Sequence, residues 1–86
     1  MPLFRRSDAP DIKKLQHRRD VARLIALLTD TTDEVRMSAA RALGEIGDAR
    51  AVEPLLAVQR NQAHQNIVRK MAAAALKQIN SSSGRS

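Results

Sequence analysis

The chain has 86 residues, a net charge of +6, no cysteine and one aromatic side chain. A chain this short makes one domain with a small core, and the lack of cysteine excludes disulfides, thiolate zinc sites and a cysteine nucleophile. Its apolar residues are mostly leucine, isoleucine, valine and alanine, in no run near the roughly 20 needed to span a bilayer.

Residues 1–9 read as an irregular arm in which Leu3 and Phe4 tuck onto the first helices and Arg5 and Arg6 are solvated. This start lacks the apolar stretch of a signal peptide, so the expectation is a cytoplasmic protein. A domain is expected over residues 10–80. It opens on a short helix from Asp11 to His17 with Ile12 and Leu15 inward, because proline, here Pro10, suits the first position of a helix. Asp20 is placed to cap a second helix over Val21 to Leu28, with Val21, Leu24, Ile25 and Leu28 inside. The turn Thr29 to Thr32 precedes the most strongly patterned stretch of the chain. There Val35, Ala39, Ala42, Leu43 and Ile46 have the i, i+4, i+7, i+8, i+11 spacing of one helical face. Thr31 and Glu34 have capping-box spacing, Gly47 suits a left-handed C-terminal cap, and Asp48 can cap the next helix. A fourth helix is expected from Ala51 to Arg60, with Val52, Leu55 and Leu56 inside and Pro54 harmless in its first turn. After a polar turn a fifth runs from Asn66 to Ile79, with Val68, Ala72, Ala75, Leu76 and Ile79 inside. Residues 81–86 read as a disordered Ser-rich tail, and Gly84-Arg85-Ser86 as a remnant left by cloning.

The chain repeats. Residues 21–28 align with 52–59, and 35–46 align with 68–79 at an offset of 33, matching Val35/Val68, Arg36/Arg69, Ala39/Ala72, Ala42/Ala75, Leu43/Leu76 and Ile46/Ile79. Hairpins recurring at such a period bury their apolar faces only by stacking. The expectation is therefore an all-α solenoid, an α-α superhelix of two hairpins (repeat 1 about 20–48, repeat 2 about 49–80) behind a short leading helix. The motif V-R-x-x-A-A-x-A-L-G-x-I-G-D, then A-V-x-P-L, is nearly complete in the first repeat and resembles the HEAT-like repeat of the phycobilin-lyase type. The second repeat has Lys77 and Asn80 where that motif has glycine.

The resemblance implies fold more than activity. HEAT-like hydroxylases hold metal with His-Glu pairs, but here Arg18 comes after His17 and Gln65 after His64. No Ser-His-Asp set, phosphate loop or carboxylate pair stands out, so no enzyme, cofactor or metal is expected. Arg36 and Arg69 read as a ladder that bonds adjacent turns or carboxylates such as Asp33 or Asp48. The resemblance further implies that the second helix of each hairpin lines the concave side. The expected partner-binding residues are then Met37, Ser38, Arg41, Glu45, Lys70, Met71, Ala74 and Gln78, and the expected function is a non-catalytic protein-interaction scaffold. Methionine suits adaptable contacts, though Met37 and Met71 can equally be core.

Charge leaves alternatives open. It runs +4 over residues 1–19, −3 over 20–48 and +5 over 49–86. Basic ends allow nucleic-acid binding, but the acidic middle opposes a phosphate track and Phe4 is the one aromatic for stacking. An accessory role in bilin or cofactor attachment is a third reading. Because two repeats are few, the outer face of the second hairpin is expected to pack against another copy.

Overall fold

The computed structural model describes residues 11–30 and 32–83 and, among them, contains only helices and turns. The expected arm with Leu3 and Phe4, Pro10, Thr31 as a capping residue and the final Gly84-Arg85-Ser86 lie outside the described residues.

The chain forms five helices in order: α1 Ile12–His17, α2 Val21–Leu27, α3 Asp33–Ile46, α4 Val52–Arg60 and α5 Asn66–Ser83, with a 3-10 turn at Ala49–Ala51 leading into α4. Short polar side chains set the starts by accepting the orphan N–H groups of a first turn. Asp11 accepts from the Lys14 N–H at 3.1 Å and Asp20 from the Arg23 N–H at 3.3 Å. Thr32 takes this role for α3, accepting from the Val35 N–H at 3.3 Å. Asp48 accepts from the Arg50 N–H at 2.8 Å and so caps the 3-10 turn. The Arg50 guanidinium and this backbone bond hold the Asp48 carboxyl below the ordinary aspartate range.

Two stops use left-handed backbone. Gly47 ends α3 at φ 78°, where glycine meets no Cβ penalty. Arg19 ends α1 at φ 58°. Its N–H donates to the Gln16 carbonyl at 3.0 Å, and the Asp20 N–H reaches the Leu15 carbonyl at 2.9 Å. Those are the two bonds of a Schellman stop, built here on a residue that carries a side chain. They turn the chain from α1 straight into α2.

The helices form two layers. α1, α3 and α5 lie side by side, with α3 in the middle and its most extensive contact to α5; α2 packs under α1 and α3, and α4 under α5. The core lies between the layers: Val21, Leu24 and Leu28; Ala39, Ala40, Ala42 and Leu43; Ala51, Leu55 and Val58; Val68, Ala72, Ala75 and Ile79. Val35, Ile46, Leu76 and Ile25 are half-buried at its edges.

Three sequence expectations shift. The buried stripe of α4 is Leu55 and Val58, continued by Ala51 at the end of the 3-10 turn, so Val52 and Leu56 move to a half-buried flank. On α3, Ala40 and Gly44 are buried as well, because a helix between neighbours has two covered sides. α5 continues past Ile79 to Ser83, so the boundary at residue 80 falls inside the helix. No glycine or proline interrupts residues 80–83, whereas Gly47 stops the equivalent helix after Ile46.

Candidate interaction face

Gly44 sets the spacing of the upper layer. A Cβ there would lie 2.9 Å from Ala75 Cα, 3.0 Å from Ala75 Cβ and 2.9 Å from Gln78 Oε1. The missing side chain lets the backbones of α3 and α5 approach. Three helices thereby present one surface, on which the exposed side chains of α1, α3 and α5 adjoin.

On α3, Ser38, Arg41 and Glu45 are exposed; on α5, Lys70, Ala74 and Gln78 are exposed. Met37 and Met71 are half-buried and packed against the core, so the packing alternative describes much of what these two side chains do. Glu45 ties the face together. Its Oε1 accepts from Gln16 Nε2 of α1 at 2.6 Å and its Oε2 from Arg41 Nε at 3.4 Å. The bond to Gln16 joins residues 29 apart in sequence, a link no local pattern signals. Beside it Lys13, Gln16, His17 and Glu45 line an open depression of about 510 Å³. A second groove, about 380 Å³, lies between α1 and α2 and is lined by Asp11, Lys14, Leu15, Arg18, Arg23, Ala26 and Leu27.

The repeated arginines have structural work. Arg36 Nη1 donates to the Asp30 carbonyl at 2.6 Å, and Nη2 pairs with the Asp33 carboxylate. Arg69 Nη1 and Nη2 donate to Gln62 Oε1 and Asn66 Oδ1, each at 3.3 Å. Each guanidinium thus fastens the turn before its own helix to the first turn of that helix. The Nε of both is buried without a hydrogen-bond partner. The carboxylate of the first repeat is replaced by an amide in the second, so Arg69 makes weaker, neutral-acceptor bonds.

His17 is exposed and His64 half-buried in the turn before α5. Among the described residues no cluster of three or more His, Cys, Asp or Glu could hold a metal ion, and no helix is long and apolar enough to cross a membrane.

Comparison with known proteins agrees with this geometry. The family model described as HEAT repeats matches residues 5–77, which is most of the chain. No curated protein and no solved structure matches it. A stack of capped helical hairpins, an arginine ladder at the repeat period and a family match spanning both repeats lead to one assignment: the chain belongs to the HEAT repeat family.

Proposed function

We propose that the protein is a non-catalytic interaction module, of the phycobilin-lyase-like HEAT type, whose upper layer binds a protein partner as a cytoplasmic scaffold. The observation that carries this reading is the exposure of Ser38, Arg41, Glu45, Lys70, Ala74 and Gln78 on adjoining helices. HEAT repeats commonly bind proteins through such helices, and Met37 and Met71 at the margin add adaptable apolar contact. Glu45 is already engaged by Gln16 and Arg41, Lys13 lines the same depression, and Lys70 adds a further exposed cation on α5. An acidic protein segment is the complementary partner.

The test is retention of a partner from native lysate by the chain and by an Arg41→Glu, Lys70→Glu variant. The parent retains a protein that the variant loses, with helicity unchanged by circular dichroism. Equal retention by both forms contradicts the reading.

A second reading rests on Lys13, Lys14, Arg18 and Arg19, all exposed on α1 and the turn after it. A cluster of this kind suits a polyanion, and binding to random duplex DNA that falls steeply with salt supports nucleic acid. A bilin-attachment role would announce itself as a shift in visible absorbance on adding a bilin.

A further inference from the structure

The close approach of α3 and α5 depends on a position without a side chain, and the repeat supplies its equivalent one hairpin later. The offset of 33 places Lys77 where Gly44 stands and Ala73 where Ala40 stands. Ala40 is 0% exposed and Gly44 is buried, on the side of α3 that α5 covers. Ala73 is only half-buried and Lys77 is exposed, on the side of α5 where a next hairpin would lie.

We propose that Lys77 closes this flank of α5: neither a second copy of the chain nor a further hairpin stacks on it at the α3–α5 separation. The reason is steric before it is electrostatic. A Cβ at position 44 would meet a backbone atom of Ala75 at 2.9 Å. Backbone within a packed helix cannot swing aside as a side-chain tip can. The long stem of Lys77 can carry its ammonium out to solvent, but its Cβ is fixed by the helix. A lysine at the contact position leaves this flank with an outer face that tolerates water. This runs against the copy-on-copy packing expected from the sequence, and it holds whichever partner the upper layer binds.

The chain has no cysteine, so Ala73→Cys gives one thiol on the flank. Its labelling rate is measured from micromolar to near-millimolar protein in three backgrounds, with helicity checked by circular dichroism. With Lys77 present the rate does not change with concentration. With Lys77→Ala, which keeps the Cβ and removes the charge, it is also constant. With Lys77→Gly it slows on concentrating, by at least about twofold once the total protein reaches twice its dissociation constant. Protection at high concentration with Lys77 or with Ala at that position overturns the proposal, as does a Lys77→Gly form that labels at a constant rate.

Discussion

The two hairpins share a pattern and differ in what surrounds them. The first has neighbours on both sides: α1 lies along one side of α3 and α5 along the other. The second has a neighbour on one side only among the described residues. Equivalent positions differ accordingly. Leu43 is fully buried while Leu76 is half-buried, Ala40 is fully buried while Ala73 is not, and Gly44 and Gly47 become Lys77 and Asn80. Position in the stack, more than the residue at each repeat site, sets how much each side chain contributes.

The largest effect should separate the two leucines. Leu43→Ala removes a fully enclosed side chain and is expected to cost about 3 kcal/mol, whereas Leu76→Ala should cost about 1 kcal/mol because part of its surface already faces water. Urea titrations with matched slopes check this, and equal losses would show that both helices are equally enclosed. The arginine ladder sharpens the same contrast. Arg36 holds a carboxylate and a carbonyl, so Arg36→Ala should cost about 2 kcal/mol; Arg69 holds only two amides, so Arg69→Ala should cost about half as much. The same titrations measure both. The smallest effect lies outside both repeats. Arg19→Gly should raise stability by about 0.5–1 kcal/mol, measured as a higher urea midpoint, because glycine takes left-handed backbone without a Cβ clash.

The first repeat is legible in the sequence because its signals are local. The single-face spacing of Val35 to Ile46, the glycine stop at Gly47 and the cap at Asp20 depend on residues within a few positions, and the structure bears them out; Asp48 also caps, but it caps the 3-10 turn ahead of α4 and not the helix itself. The ladder, too, is visible in the recurrence of Arg36 and Arg69, and its acceptors lie in the adjacent turns. Features set by neighbours distant in sequence are not legible in this way. Ala40 and Gly44 lie off the face that periodicity selects, and are buried only because α5 crosses there. The buried stripe of α4 is rotated toward Ala51 and Val58, although Val52 and Leu56 fit a helical face equally well on spacing alone. The Gln16–Glu45 bond joins α1 to α3 and has no local counterpart. The eight proposed contact residues rest on family resemblance. Their exposure divides them into six surface side chains and two methionines that also pack.

The claim that α3 is a close-packed interior helix and α5 an open-sided one is tested most directly by placing alanine at their equivalent positions. On helix propensity alone, Gly44→Ala should gain about 1 kcal/mol and Lys77→Ala should change little. The 2.9 Å approach to the Ala75 backbone predicts instead that Gly44→Ala loses about 1–3 kcal/mol, while Lys77→Ala stays within about 0.5 kcal/mol of the parent. A stabilised Gly44→Ala variant in the same urea titration would contradict the account.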